Sequence, residues 1–574
     1  MFIFCSLIQA EINVIITEIS GKRHVSQMKK IVIGLILRTC FWGICFLFLY
    51  QFIHIFSGEG LYTDEGYYLS MAKRISKGEV MYRDFFTFYM PLPFYITGLF
   101  FHFTGPSYFI ARLIIIALIS LAAVTGYAIV NNLLRGGWLS FLAPVFLVSL
   151  TYPFWKIFTP RYFSLFFSTA TLYFLYRSTE KNKTGYILTA GIFCGLNILS
   201  IQSDGIMLFF SSLLFILLFQ MNEKKTIKAV FAPLLIFFSG SIMAVAPFFI
   251  YLLIKGAGFL FLYDTTYWIT LSLMHYLHTP YFYGGIVYIQ NLAGKALLSP
   301  LNFLLNISAI VTLIIIGFMP IIIYFLSLII IIKEYLKNRA LSPFSIKILL
   351  LTITGAGLLI ANINRTDPLH LLLVSFNWVS IALFYFKKYI YAPEKRTLTK
   401  YVVNYMLLFY FIGIILFDII GLYMYKKTYI FPIRGVNILY TNNKQIADEM
   451  NALKQIFEVS IPENTTVFGY CWMGAHLFFL ERDNKFRHDV LLPYHSTEDQ
   501  LLEGLEYLKG NQVPYIILDS GIERLYFSLR YSSDPEKLLN LIKNDPISDY
   551  IKKNYHPLYE FKTAGIKLLV KNNN

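Results

Sequence analysis

The stretch SYFIARLIIIALISLAAVTGYAIVNNLL, residues 107–134, decides the class of fold. It carries one charged side chain, Arg112, near its start, and the next charge is Arg135 just beyond its end. About 20 largely apolar residues in helical form cross the hydrocarbon core of a bilayer, so this run reads as a membrane-spanning helix. Working outward, similar runs occupy 31–56, 138–155, 161–177, 186–201, 206–220, 229–254, 302–332, 348–363, 369–386 and 402–425, which makes roughly eleven expected spans. The composition agrees. Of 574 residues 57% are hydrophobic and only 14% charged, against about 25% charged in a soluble protein. The 54 Phe and 42 Tyr fit as well, because tyrosine favours the membrane–water interface, where its ring is buried and its hydroxyl stays wet.

In a soluble chain a net charge of +16 would point to nucleic acid. Here the Lys and Arg fall in short segments between apolar runs, which is the positive-inside pattern, and no nucleic-acid partner is expected. With a cytoplasmic N-terminus, the inside connections carry Arg135, then Arg177, Lys181 and Lys183, then Lys224, Lys225 and Lys228. Further along they carry Lys333, Lys337, Arg339 and Lys347, and finally Lys387, Lys388, Lys395, Arg396 and Lys400. That topology describes a multi-pass protein of the plasma (inner) membrane. Met28-Lys29-Lys30 directly precedes the first run with no convincing cleavage site after it, so 1–30 reads as a cytoplasmic extension and 31–56 as a retained span.

Residues 31–430 form the expected transmembrane domain, with external loops 57–106 and 255–300. Residues 431–574 are polar and read as an extracytoplasmic α/β domain. Helical periodicity covers 443–459 and 496–509, short buried strands cover 465–470 and 514–519, and a closing hairpin pairs 556–562 with 565–570. The expected fold class is thus an α-helical polytopic membrane protein with a C-terminal extracytoplasmic α/β domain. The five cysteines show no CxxC or ligand-like spacing, which argues against a disulfide-built domain. There is no Walker A pattern, so an ATP motor on this chain is excluded as far as a motif can exclude it.

The residues that could carry chemistry begin in the first external loop. It reads Tyr62-Thr63-Asp64-Glu65-Gly66-Tyr67-Tyr68, then Lys77-Gly78-Glu79, Tyr82-Arg83-Asp84 and Pro91-Leu92-Pro93. Asp64 follows a span closely and so lies near the membrane surface. A partly desolvated carboxylate facing a cleft there can act as a general base toward a hydroxyl. The plainer reading is that Asp64 caps a helix starting near Glu65, with Glu65 favouring its N-terminus. The two readings are compatible.

This ordered series, followed by more spans and a polar C-terminal domain, resembles the first external loop of bacterial GT-C glycosyltransferases. They are the family 39-like group that includes protein O-mannosyltransferases and aminoarabinose transferases. The resemblance covers the architecture of the whole chain but reaches motif level only here and in one later stretch. It implies a polyprenyl-phosphate-linked sugar donor, a glycan, lipid or protein acceptor, Asp64 as the candidate base and Glu65 as its catalytic neighbour. Related enzymes differ in metal need, so a divalent cation at the Asp64/Glu65 loop stays open. His476, His488 and His495 have no ligand spacing, and no metal site is read from them.

The later stretch is Asn364-Arg365-Thr366-Asp367-Pro368-Leu369-His370, similar to an Arg-x-Asp-x-x-His segment of many bacterial members of that group. Arg365 would bind the departing phosphate by charge-assisted hydrogen bonds, and His370 would add a donor or orient Asp367. The alternative is a polar turn whose Arg snorkels to lipid headgroups. On the same face lie Arg161, a second phosphate candidate; Asp84, Asp204 and Asp264, candidate cleft residues; and Arg112, read as structural. Asp418, inside the last expected span, is read first as a residue hydrogen-bonded among helices.

These features point to a membrane glycosyltransferase acting at the external face. A transporter or flippase of lipid-linked sugars is the alternative, but it should place polar residues near the bilayer midplane, often with repeat symmetry, and no repeat is visible. A binding domain on a membrane anchor is a third reading, for which eleven spans are far more than anchoring requires.

Overall fold

The computed structural model describes residues 64–574 apart from 137, 145–156, 182–183, 224–225, 268–280, 297–299, 364–366, 391–422, 424–425, 473, 492–495, 520–535, 537–538, 541–542 and 573–574. The extension 1–30, the span 31–56, most of the runs 138–155 and 402–425, Arg365 and Asp418 lie outside the described residues.

Helix α1 (Asp64–Ser76) begins at Asp64, one residue before the expected start. Asp64 and Glu65 occupy its first turn and Lys73 and Arg74 its last, so both ends complement the helix dipole. Helix α2 (Leu92–Thr104) starts on the Pro91-Leu92-Pro93 turn, where proline's fixed φ suits the first helical turn. Then come α3 (Tyr108–Leu133), α4 (Pro160–Lys181), α5 (Thr184–Ile198), α6 (Gln202–Asn222) and α7 (Ile227–Ile254). A short α8 (Gly258–Leu262) widens into a π-type turn over Tyr263–Tyr267. It is followed by α9 (Tyr283–Ala296), α10 (Pro300–Asn338) and α11 (Pro343–Ala361). Among the described residues five helices, α3, α6, α7, α10 and α11, are long and apolar enough to cross a membrane.

The run 369–386, expected as one span, is two pieces: α12 (Pro368–Leu373) and α13 (Phe376–Tyr385). The break has a local cause. Both the hydroxyl of Ser375, at 2.6 Å, and its backbone N–H, at 3.1 Å, bond to the carbonyl of Leu372. An i−3 bond backed by a competing hydroxyl tightens and ends the turn.

Small residues let the helices touch. Gly191 and Gly195 of α5 lie one turn apart against Gly240, Ser241 and Ala244 of α7. A Cβ at Gly191 would meet the Phe237 carbonyl and approach Gly240 Cα to 3.1 Å, and one at Gly195 would meet the Ser241 carbonyl at 2.5 Å. The Ser241 hydroxyl donates to the Gly191 carbonyl across this contact at 3.1 Å. In lipid such close approach supplies dispersion contact that hydrophobicity does not.

Polar and charged groups gather at both ends of the helices. At one end Lys347 reaches Glu180 at 2.7 Å and the Asn132 amide oxygen at 3.1 Å, Arg177 pairs with Glu180, and Lys387 bonds the Gly136 carbonyl. Arg112, Arg161, Asp204, Asn362 and His370 belong to the opposite end.

The C-terminal region opens with a hairpin, β1 (Phe431–Arg434) and β2 (Ile438–Thr441), and helix α14 (Lys444–Val459). Next are β3 (Val467–Trp472), α15 (Gly474–Phe479), β4 (Val490–Leu491), α16 (Glu498–Gly510) and β5 (Tyr515–Asp519). Helix α17 (Pro546–Asn554), β6 (Tyr555–Phe561) and β7 (Ile566–Lys571) close it. The five-stranded sheet has the order β4-β3-β5-β7-β6, with β3 and β5 parallel and the other pairs antiparallel. The parallel pair requires a crossover, which α16 provides behind a capping box of Thr497 and Gln500. Leu501, Leu508, Ile547 and Ile551 pack α16 and α17 onto Phe468, Ile516 and Leu569 of the sheet. Asn437, in the β1–β2 turn, accepts the Tyr108 N–H at 2.8 Å and so caps the membrane helix α3.

Replacing Gly191 by Leu should lower stability by about 1–3 kcal/mol, the usual cost of overpacking. The midpoint of thermal unfolding in detergent measures it; an unchanged midpoint would contradict the close α5–α7 contact.

Candidate active site

Helix α1 delivers its first residue, half-buried Asp64, to a small cleft. Tyr68 of α1, Tyr89, Thr159, Arg161 and His370 wall that cleft. Pro160 starts α4 beside it, which sets Arg161 one residue into the helix and facing the same space. The Tyr68 hydroxyl donates to the Tyr89 hydroxyl at 3.1 Å, their rings meet edge-on at 5.0 Å, and Phe88 lies against Tyr89 at 4.2 Å. One carboxylate, one guanidinium, one imidazole and two phenols therefore converge on a single polar recess.

Glu65 goes the other way. Its carboxylate has no exposure and is gripped by Arg112, from Nε at 2.9 Å and from the second guanidinium nitrogen at 2.6 Å. The Phe158 N–H donates a third bond at 2.7 Å. Arg112 is itself fully buried, in line with the structural reading of its sequence position. The pair ties α1 to α3 and to the segment entering α4.

Arg161 is held from behind. It donates to the Asn362 amide oxygen at 2.8 Å and lies 3.8 Å from Asp204. Asp204 in turn accepts the Ser164 hydroxyl and the Asn362 amide, each at 3.0 Å. Asp204 thus sits one layer back, where it anchors Arg161 and does not wall the cleft. His370 is buried with Nδ1 2.6 Å from Asp367, whose other oxygen caps α12 through the Leu369 and His370 N–H groups. The capping carboxylate orients the imidazole, the reverse of the expected order of support. Arg365, between α11 and α12, lies outside the described residues.

The remaining sequence candidates lie apart from the cleft. Asp84 is paired with Arg83 at 2.7 and 2.8 Å and accepts the Val80 N–H; the Arg83 hydrogen bonds hold its carboxyl below the usual range. Asp264 is wholly buried, 3.5 Å from the Thr87 N–H and 4.0 Å from Arg487. Tyr89, Thr159 and Asn362 were not singled out by sequence; only the Thr159-Pro160 step at the head of a span could have signalled one of them. Among the described residues no group of three His, Cys, Asp or Glu side chains could hold a metal ion. A larger groove lined by Leu213, Leu217, Phe231 and Phe238 exposes no polar atoms and offers no chemistry.

Residues 90–251 match a family model described as dolichyl-phosphate-mannose-protein mannosyltransferase. No curated protein matches the chain in sequence. In three dimensions it resembles ArnT from Cupriavidus metallidurans bound to undecaprenyl phosphate, with a TM-score of 0.50 and 13% identity over 96% of this chain and 99% of that one. The apo form of that protein gives 0.51 and 11% over 95% and 98%. The apo Archaeoglobus fulgidus oligosaccharyltransferase gives 0.51 and 14% over 87% and 71%. The chain shares the fold of these transferases along most of its length, and the family match lies within its helical region. At such identities the solved structures speak for the fold alone.

One buried group gives the stability of this protein a pH dependence. Burial pushes the Asp264 carboxyl up to about 7, and Arg487 and the Thr87 N–H offset this only in part. The folded protein therefore keeps a proton that the unfolded chain releases near pH 4. Between those values the unfolded state binds fewer protons, so stability falls as pH rises, and levels off above about 7. Asp264→Asn should remove about 3 kcal/mol of the loss between pH 5 and 8. Unfolding midpoints at the two pH values test it; an equal decline in wild type and variant would contradict it.

Proposed function

We propose that the chain transfers one sugar from a polyprenyl-phosphate donor to an acceptor at the external face of the plasma membrane. The observation that carries this reading is the cleft itself, which Asp64, Arg161 and His370 line together. The structural relative bound to undecaprenyl phosphate supports the donor class, and so does the lipid-phosphate donor in the family description.

Asp64 takes the proton of the acceptor hydroxyl or amine as that atom attacks the anomeric carbon. The bond from the anomeric carbon to the phosphate oxygen breaks, and its electron pair leaves with the polyprenyl phosphate. Arg161, with His370 and with Arg365 from the adjoining connection, stabilises the charge that develops there. A single displacement of this kind inverts the anomeric centre. Tyr68 and Tyr89 offer ring faces and hydroxyls to the sugar. Glu65 is a positioning residue in this scheme, fully engaged by Arg112 and the Phe158 N–H.

A flippase needs its helices to part alternately at both ends. The ion pairs and hydrogen bonds that join Asn132, Tyr176, Glu180 and Lys347 at the far end weigh against that motion.

Asp64→Asn should reduce transfer at least a thousandfold, roughly the loss of general-base assistance, without lowering the unfolding midpoint. Arg161→Ala should lower transfer and weaken binding of undecaprenyl phosphate together. Glu65→Ala should instead cost about 3–5 kcal/mol of stability by stranding the buried Arg112 charge. Transfer assays beside unfolding in the same detergent separate these outcomes; normal turnover in Asp64→Asn would refute the base assignment.

A further inference from the structure

Helix α1 lies between two bodies. On one side are α2 and the Glu65–Arg112 pair; on the other is the C-terminal segment 474–491, which follows the helix along nearly its whole length. At the first turn Gly66 packs on α15, and a Cβ there would meet Ala475 Cα at 2.5 Å. In the middle the Ser70 hydroxyl faces Asp489 at 3.4 Å. One turn on, Arg74 reaches Asp489 at 3.3 Å and the Phe486 carbonyl at 3.0 Å. At the end Lys73 bonds the Arg482 carbonyl and Asp483, each at 3.0 Å, and Lys77 pairs with Asp483 at 2.5 Å.

Asp489 is the centre of this seam. It is buried, and beyond Ser70 and Arg74 it accepts the Asn484 amide at 2.7 Å while its own carbonyl takes the Gly474 N–H. It immediately precedes β4, which pairs with β3 of the sheet. The carboxylate therefore joins two successive turns of α1 to a rigid strand. Arg74 is committed in every direction, since it also bonds Glu79 at 2.7 Å and the Asp84 carbonyl at 3.1 Å. A buried charge pair of this kind contributes little net stability against an apolar contact but fixes geometry.

We propose that the C-terminal α/β region is a positioning element of the active site: through Asp489, and through the close approach of Ala475 to Gly66, it sets where α1 presents Asp64. The inference rests on Asp64 being the base. Neither residue walls the cleft, so the effect reaches the reaction through the placement of α1. A displacement of about an ångström at a reacting group can cost up to about a hundredfold in rate with little change in ground-state binding. The donor phosphate, held by groups on α4 and α12, should be unaffected.

The test uses the full chain in liposomes with radiolabelled undecaprenyl-phosphate mannose and undecaprenyl-phosphate arabinose as probe donors, a membrane lipid extract supplying acceptor. Undecaprenyl phosphate release gives kcat and KM, and hydrogen exchange is followed at the amides of 64–76. Asp489→Asn and Gly66→Ala should each lower kcat about ten- to a hundredfold with KM and undecaprenyl phosphate binding within about twofold. Exchange should rise in α1 while β5 and β7 stay protected, and Asp489→Glu should recover part of kcat. Unchanged kcat in both folded variants would overturn the proposal, as would a loss that comes with exchange throughout the sheet. Asp64→Asn is run in parallel. If it is inactive while the two seam variants are normal, only the positioning role fails; if it is fully active, the base assignment fails first.

Discussion

The buried pair of Glu65 and Arg112 is the constraint on which the site depends. Two charges without solvent are tolerated only when their hydrogen bonds are filled, and here a bidentate guanidinium and the Phe158 N–H do so. This fixes the first turn of α1 in rotation and depth, joining three separate parts of the chain. Asp64 precedes Glu65 and so points elsewhere, into the recess of Arg161 and His370. Adjacent carboxylates have different surroundings: Glu65 is gripped by buried donors, and Asp64 lines a cleft.

The support behind the cleft follows the same logic. Arg161 and His370 are each held by an acidic group that does not reach the cleft, Asp204 with Asn362 in one case and Asp367 in the other. In the proposed reaction, a guanidinium and an imidazole oriented in advance need little reorganisation to meet the departing phosphate. Burial in low dielectric strengthens that contact and also makes the supporting network costly to disturb. At the far end, the contacts of Lys347 and Lys387 leave the helices braced on the side away from the chemistry.

Much of this was legible in the sequence because a bilayer makes strict demands. The run 107–134 became α3 at 108–133, and the helices and hairpin read in the C-terminal region are present within a few residues. The broken run 369–386 was not legible, since hydropathy does not register a serine hydroxyl competing for a backbone carbonyl. The division between Asp64 and Glu65 was hidden for another reason. The partner of Glu65 stands 47 residues away, and no local pattern announces it. The seam between Arg74 and Asp489 spans 415 residues, and Asp264 is charged in the sequence yet buried in the fold. Periodicity and spacing report local structure; which polar groups meet is decided by tertiary contact.

The most direct test of the central claim follows both products at once. Purified protein in liposomes is given radiolabelled polyprenyl-phosphate sugars and a membrane extract as acceptor. Sugar transfer requires free polyprenyl phosphate to appear in step with labelled acceptor, one for one. Intact donor crossing the bilayer with its sugar–phosphate bond unbroken, and no labelled acceptor, would contradict it.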